Sequence, residues 1–443
     1  MKSKLKLLYW HGEKRNPYFI LRQMGSLNGL FSYVIEDIER NELILLQDRF
    51  GDSAWLYYTI INGQLHYSND YHEICGKISL PSLDMEAVRQ RLMTDFVWGD
   101  RTLIAQIKKV PLHCIMIFNR DTKQINYYRI RFEGGDRSGN IVKNGAYEAI
   151  LPRYPEVSAI AYSAGFDSNM LVHNYYHPDL QLFTIGANKG RDDSTNARKI
   201  INNSTLSNEN LHICKPTPDL LHSFPKLVSI CGENWNKGAF TTYLLGKILN
   251  EQNISSALIG EGGNEAFTLQ YNFFLESNSI NWNFENKLEY WTKGSSSLGM
   301  VANRAIKRTG VIMNHFGIEP IWPFLDLDFL NSIEAEDEQH EAHKRYRKRV
   351  LEMIHPDSRK LLITQGGSFE LTNLFENEKD FQKYLDFAKQ SKYFPIYEKV
   401  KSKINGKDEE TVNWVFNILF IHLFEEIFVN RKEVAALDEM LGL

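Results

Sequence analysis

Cysteine is scarce. The 443 residues contain four, Cys75, Cys114, Cys214 and Cys231, and no two stand close enough for a C-x-x-C metal or redox motif. Four thiols in a chain of this length make no disulfide framework, so they read as buried, reduced side chains of a cytoplasmic protein. An excess of charge of one sign is missing too: 51 Lys and Arg against 55 Asp and Glu leave a net charge of −4. That balance excludes a polybasic nucleic-acid binder and an acidic tail, but not a phosphate site built from a few backbone N–H groups. Long apolar runs are also lacking. Val415–Phe424 comes closest, and Asn417 and His422 interrupt it, so no membrane span is expected. The basic start MKSKLKLLYW carries too short an apolar stretch for a signal peptide. The sequence shows no internal repeat, no low-complexity segment and no G-x-x-x-x-G-K-S/T phosphate loop.

The length suggests two or three domains of ordinary composition, 43% hydrophobic and 24% charged. The first hundred residues read as strands and turns. Leu30–Ile35 and Leu43–Gln47 form one hairpin, and Trp55–Ile61 and Gln64–Tyr67 flank Asn62–Gly63, a type I′ turn signal. Ser82 reads as the N-cap of a helix over Met85–Val97 that ends at Gly99, and His113–Phe118 with Ile125–Ile130 makes a further hairpin. Glu133–Lys143 is the best linker. Beyond it, strand-like Val157–Tyr162, Leu180–Ile185 and Ser256–Ile259 alternate with helix-like Asn169–Tyr176, Thr195–Ile201 and Phe240–Asn250. Such alternation predicts a parallel α/β sheet. The last third, from about Asn331, is mostly helical and closes with the amphipathic Thr411–Phe428.

Three segments carry candidate chemistry. Val157–Ser168 runs from an apolar strand into a small-residue turn and an apparent helix start at Asn169. Such a turn aims free N–H groups and a positive helix end at one point, which suits phosphate. Ser163 and Ser168 add hydroxyls and Asp167 an acceptor for Mg²⁺; an ordinary βα turn capped by Asp167 and Ser168 fits the same residues. Ala257–Phe267 places three glycines after a buried strand, and Glu261, Asn264 and Glu265 would share a crevice with Asp167. Glu319–Asp328 is more in keeping with packing than with chemistry. The basic Lys344–Arg349 is a solvated helix face or a cation cluster for pyrophosphate, with Lys344 and Lys348 one turn apart.

Seven segments then occur in one order: Leu27–Asp37, Gln47–Tyr58, Gly99–Pro111, Y-S-A-G-F-D-S at Tyr162–Ser168, D-D-S-T-N-A-R-K at Asp192–Lys199, G-E-G-G-N-E-A-F at Gly260–Phe267, and W-P-F-L-D at Trp322–Asp326. Together they resemble the asparagine synthetase family over most of the chain. The resemblance implies an α/β fold: a C-terminal ATP-pyrophosphatase domain with a PP-loop on a parallel sheet, over residues 144–443. A smaller, truncated α+β domain of the N-terminal-nucleophile, glutaminase-like type precedes it over residues 1–132, with a linker at 133–143. Relatives include β-lactam synthetases and the macrolactam synthetases that close lasso peptides.

The departures from the family pattern matter as much. Glutamine-dependent members expose an N-terminal cysteine, whereas this chain starts Met1-Lys2 and has no cysteine before Cys75, so no glutaminase activity is expected. The usual S-G-G-x-D-S carries Ala164 in place of a glycine, and the second metal-binding Asp of the family is Asn264. The family lysine after the Pro356 region has no clear match; Gln365 is nearest, and a neutral amide supplies no cationic stabilisation. Lys360 is a further cation in that stretch.

The resemblance therefore implies ATP on Ser163, Ala164, Gly165, Phe166, Asp167, Ser168, Gly260 and Gly262, with Mg²⁺ on Asp167 and Asn264. Glu261 would be base or orienting group, Gln365 would stand at the lysine position, and Lys344 or Lys348 would neutralise pyrophosphate. The expected reaction adenylates the carboxylate of a small molecule or peptide, releases pyrophosphate, and then forms an amide with loss of AMP. A macrolactam cyclase and a small-molecule amide synthetase both fit. A catalytically degenerate homologue serving as a nucleotide- or partner-binding scaffold stays open beside the ligase, as do a peptide or carrier-protein partner on the N-terminal domain and a homodimer.

Overall fold

The computed structural model describes residues 3–11, 30–48, 55–97, 99–112, 114–129, 147–149, 151–152, 154, 156–187, 193–204, 208–266, 305–326, 328–330, 339–363, 370–375, 378–395 and 409–441. The N-terminal part is built on antiparallel strands. β1 (Ser3–His11), β2 (Leu30–Asp37), β3 (Glu42–Gln47), β7 (Cys114–Asn119) and β8 (Ile125–Arg129) make one sheet in that order. β5 (Gln64–Ser68), β4 (Tyr57–Ile61) and β6 (Lys108–Lys109) make a second. The three expected hairpins are present. The turn between β4 and β5 has both Asn62 (φ +51°) and Gly63 (φ +72°) in the left-handed region, as a type I′ turn requires. Two helices follow β5: α1 (Tyr71–Gly76) and α2 (Met85–Thr94). The α2 cap is Asp84, not Ser82, since its carboxylate accepts from the N–H groups of Glu86 and Ala87. The helix stops at Thr94 because Asp95 turns left-handed (φ +64°), short of the expected Val97. The expected linker Glu133–Lys143 lies outside the described residues.

The C-terminal part carries a five-stranded parallel sheet in the order β11-β10-β9-β12-β13. Its strands are β9 (Ala159–Ala161), β10 (Gln181–Ile185), β11 (Leu211–Cys214), β12 (Ser256–Ile259) and β13 (Glu319–Ile321). Around them lie α3 (Phe166–Asn174), α4 (Asp193–Asn202), α5 (Phe224–Cys231), α6 (Gly238–Glu251), α7 (Gly263–Ala266), α8 (Lys307–His315), α9 (Gln339–Met353) and α10 (Arg359–Ile363). Three further helices close the chain: α11 (Glu378–Gln390), α12 (Glu409–Phe424) and α13 (Val434–Leu441). Ile160, Leu182 and Leu258 are fully buried in the central strands, because helices cover both faces of a parallel sheet.

One core joins the two parts. Trp55, Tyr57, Val88 and Leu92 pack in the same apolar cluster as Phe224, Phe240 and the α12 residues Phe416 and Phe420. Helix α12 continues through a turn of π-helix to Val429, and by length and composition this helix could cross a membrane. Most of it is instead buried inside the protein, which explains a helix apolar on every side. The Asn417 amide within it is satisfied: it accepts from Arg91 at 3.1 Å and donates to Asp95 at 2.9 Å. Arg91, fully buried on α2, lies 4.6 Å over the Phe420 ring and donates to the Trp235 carbonyl at 2.6 Å.

Candidate active site

The parallel sheet reverses its winding at β9. The chain leaves β9 through α3 to β10 on one side, and β12 joins the other side only after β11, α5 and α6. Where the order reverses, a crevice opens at the carboxyl ends of the strands, and open α/β sheets bind ligands there. The loops singled out in the sequence follow β9 and β12, so both border this point.

Their approach is close enough to explain the glycine at 263. A methyl group on Gly260 would lie 3.5 Å from Asp167 Cβ, and one on Gly263 would lie 2.5 Å from Asp167 Cγ. The first distance is ordinary contact, whereas at Gly263 a side chain would force the Asp167 carboxylate aside. From a third direction Tyr346, fully buried on α9, donates its hydroxyl to Asp167 Oδ1 at 2.7 Å.

Helix α3 starts at Phe166, three residues before the expected Asn169, with Gly165 as N-cap and no side chain bonded to the cap. Asp167 and Ser168 therefore sit inside the first turn rather than capping it. Gly165 N–H donates to Ser163 Oγ at 3.3 Å, Ser168 Oγ donates to the Gly165 carbonyl at 3.2 Å, and the two serine hydroxyls are 3.3 Å apart. Asn169 braces the loop from behind, donating to the Gly165 carbonyl and accepting from the Tyr162 hydroxyl, both at 2.9 Å. Ala164 holds φ +57° with no exposed surface and belongs to the main apolar core. The extra methyl is absorbed by packing.

Glu261 is anchored. Its Oε1 accepts from Arg308 Nη2 at 2.7 Å and from Thr309 Oγ1 at 3.2 Å, while Arg308 Nη1 reaches Asn236 Oδ1 at 2.8 Å. Glu261 Oε2 is buried and makes no hydrogen bond among the described residues, an acceptor left for a donor that these residues do not supply. The ion pair favours an orienting role over that of a base, since a carboxylate bound to a guanidinium gives up a lone pair to it.

The remaining expected residues are placed differently. Lys344 and Lys348 lie on the exposed side of α9, with Lys348 Nζ 4.0 Å from Glu352. Between them Arg347 turns inward, its guanidinium carbon 4.3 Å from the centroid of the Phe166 ring at the start of α3. The Gln365 position and the Asn264 side chain lie outside the described residues. Gly262 has φ +100°, and a methyl there would meet Leu325 at 2.6 Å, so it serves backbone geometry and packing. In the Trp322–Asp326 motif, Pro323, Phe324 and Leu325 are buried and Asp326 accepts from the N–H of Asp328 at 2.9 Å, which is the expected packing role. Among the described residues no group of three His, Cys, Asp or Glu converges on a point. One carboxylate beside a phosphate-sized turn fits Mg²⁺, which keeps most of its waters and shares phosphate oxygens.

Arg308, Tyr346 and Arg347 are the residues that sequence reasoning missed. Arg308 has no motif around it, and the basic run on α9 drew attention to its two solvent-facing lysines.

Residues 158–365 match the asparagine synthase domain family, and residues 21–129 match the glutamine amidotransferase domain family. A glutamine-hydrolyzing asparagine synthetase 1 from Bacillus subtilis strain 168 is 25% identical over 268 residues, covering 58% of this chain and 42% of the relative. The chain thus spans under half the length of that curated relative.

Proposed function

Since the chain belongs to the asparagine synthetase family, we propose that it is an ATP-dependent ligase that activates a carboxylate and transfers it to an amine. The observation that carries this reading is the meeting of Asp167 with Gly260 and Gly263 at the winding reversal of the sheet, beside an uncapped helix start. Pyrophosphate would lie on the first-turn N–H groups of α3, with the Ser163 and Ser168 hydroxyls as further donors. Mg²⁺, held by Asp167 with help from Asn264, would neutralise charge on the phosphates. Arg347, whose guanidinium lies over the Phe166 ring, would meet the negative charge of the leaving group, a role that a neutral Gln365 does not fill. Glu261, fixed by Arg308, would orient the amine toward the activated acyl carbon through Oε2.

The carboxylate is a small molecule or a peptide, and the amine is free ammonia or part of the same substrate, which would give a ring. All four cysteines are buried, and burial pushes the thiols of Cys75, Cys214 and Cys231 up, which supports the reading that this chain does not hydrolyse glutamine. The deciding experiment is pyrophosphate release from ATP and Mg²⁺ with a panel of amino acids and peptides, compared with Asp167→Ala. Release by the wild type and its loss in the variant support the ligase. A protein that binds no ATP, or a variant that binds it unchanged, overturns the reading.

A further inference from the structure

Away from the crevice, two ammonium groups share one indole. Lys307 Nζ lies 4.7 Å and Lys109 Nζ 5.0 Å from the centre of the Trp55 ring, and all three residues are buried. Trp55 and Lys109 belong to the antiparallel N-terminal part, and Lys307 opens α8 in the other part. A buried acid stands beside Lys109: Glu233 Oε1 is 3.5 Å from Lys109 Nζ, and Oε2 accepts from the Leu103 N–H at 3.1 Å. Lys109 also donates to the Val97 carbonyl at 2.9 Å. Burial lowers the pKa of Lys109 and raises that of Glu233, the signs expected for charges kept out of water. A buried ion pair that carries this cost sets one geometry for the groups around it.

The neighbours in sequence supply the role. Lys307 is followed directly by Arg308, whose guanidinium holds Glu261 at 2.7 Å and Asn236 at 2.8 Å. Glu233 stands three residues before Asn236, whose Oδ1 also accepts from the Gly238 N–H at 3.0 Å. Two short stretches of chain, 233–236 and 307–308, thus each touch the N-terminal part at one end and the Glu261 anchor at the other. The guanidinium has little freedom to absorb a shift, because it lies where a Gly238 side chain would be: a methyl there would come within 2.3 Å of Nη1. In a close-packed interior, displacement of Lys307 is passed on to Arg308.

We propose that Trp55 and Lys109 are positioning residues for Glu261, so that the N-terminal part sets the orientation of this carboxylate through Lys307–Arg308 and Glu233–Asn236. The role at the reaction rests on Glu261 being the substrate-facing group of the proposed ligase; the mechanical coupling does not. The N-terminal part then completes the synthetase site without chemistry of its own.

The test uses the full chain with Trp55→Leu, Trp55→Phe, Glu261→Gln and the double variant Trp55→Leu/Glu261→Gln. Hydrogen exchange should rise in Trp55→Leu over residues 256–263 and 305–312 and stay unchanged in α4, while Trp55→Phe, which keeps an aromatic face, behaves as wild type. Thermal unfolding of wild type, Trp55→Leu, Glu261→Gln and the double variant should be non-additive, whereas sites more than about 10 Å apart without shared partners usually add. Additive shifts, or exchange that rises everywhere or nowhere, overturn the coupling. If Trp55→Leu does not fold, Lys307→Met replaces it in the same scheme. Pyrophosphate release from ATP and Mg²⁺ with the carboxylate panel separates the two readings. The expected result is at least a tenfold fall in kcat with KM for ATP changed less than twofold. Coupling without any change in release leaves the positioning intact and removes Glu261 from the reaction.

Discussion

The Tyr346 hydroxyl donates to Asp167 Oδ1 at 2.7 Å across 179 residues of sequence. The phenol is fully buried, so its position is fixed by α9 and not by solvent, and it holds Oδ1, the carboxylate oxygen nearer the Gly263 side of the crevice. Tyr346→Phe removes the donor and keeps the ring packed against Phe324. A net loss of about 1 kcal/mol in stability is expected, the ordinary worth of one such bond. The larger effect should fall on nucleotide binding: ATP affinity in the presence of Mg²⁺ drops about tenfold, the equivalent of about 1.4 kcal/mol, while affinity without Mg²⁺ changes little. Titration calorimetry with and without the ion checks both; equal losses in the two conditions would mean that Tyr346 does not act through Asp167.

Gly263→Ala tests the same carboxylate. The added methyl would stand 2.5 Å from Asp167 Cγ, closer than carbon atoms pack, so Asp167 must swing away or α7 must move. Pyrophosphate release should fall at least as far as in Tyr346→Phe, at a stability cost of about 1–3 kcal/mol. Gly317→Ala is the control: φ is +72° there and nothing lies within 4 Å of the added methyl, so it carries backbone strain alone and leaves release unchanged.

The parallel sheet was legible because β9, β10 and β12 are short apolar runs between helical stretches, and their boundaries fall within two residues of the expected ones at most ends. β11 and β13 were not. Leu211–Cys214 has a polar His212 at its centre, and β13 is three residues with a proline at Pro320, allowed because it lies at the sheet edge. The glycine loops announced the site, since close backbone approach leaves a mark in composition. Arg308 and Tyr346 left none: each acts on an acid 47 or 179 residues away, and only the fold brings such pairs together.

Glutamine should not serve as an ammonia source for this chain. Cys75 donates to the Phe428 carbonyl inside the core, and burial pushes the Cys214 thiol up to about 12. Incubation with glutamine should release no glutamate above a heated control, and substitution of Cys75 by Ser should alter stability alone. Glutamate formation that is lost in any single cysteine variant would identify a nucleophile and refute this expectation.

Acid should loosen the helical end of the molecule. His422 on α12 is held below its ordinary value of 6.5, first by burial; Glu426 and Glu425 oppose that shift, and Lys432 and Lys392 add to it. The neutral ring packs on Phe387 at 5.3 Å. A histidine with a lowered folded-state pKa binds fewer protons folded than unfolded, so its contribution is fully present above the unfolded pKa and is lost as pH falls through the folded one. His212 and His315 are lowered by burial as well and act in the same sense. The melting temperature should therefore decline as pH drops below about 6.5, and His422→Gln should flatten the decline. An unchanged slope in that variant would assign the acid sensitivity elsewhere.

Ala164 poses a question that only magnitudes decide. Restoring glycine relieves a left-handed backbone at φ +57°, worth about 1–2 kcal/mol for an L-residue. Against this stand the loss of a fully buried methyl, about 0.8 kcal/mol, and the greater freedom of glycine in the unfolded chain, about 0.5–1 kcal/mol. The terms nearly cancel, so Ala164→Gly should shift stability by less than about 1 kcal/mol. Because the methyl faces the core and not the crevice, ATP binding should also stay within a factor of two. Ala164→Val meets the opposite fate: a β-branched side chain in the left-handed region and in a filled core costs more than about 2 kcal/mol and distorts the loop that carries Ser163 and Gly165. Thermal unfolding and ATP titration of the pair decide whether the alanine is a tolerated replacement or a defect. A glycine variant that binds ATP tenfold more tightly would show that the methyl does obstruct the phosphate site.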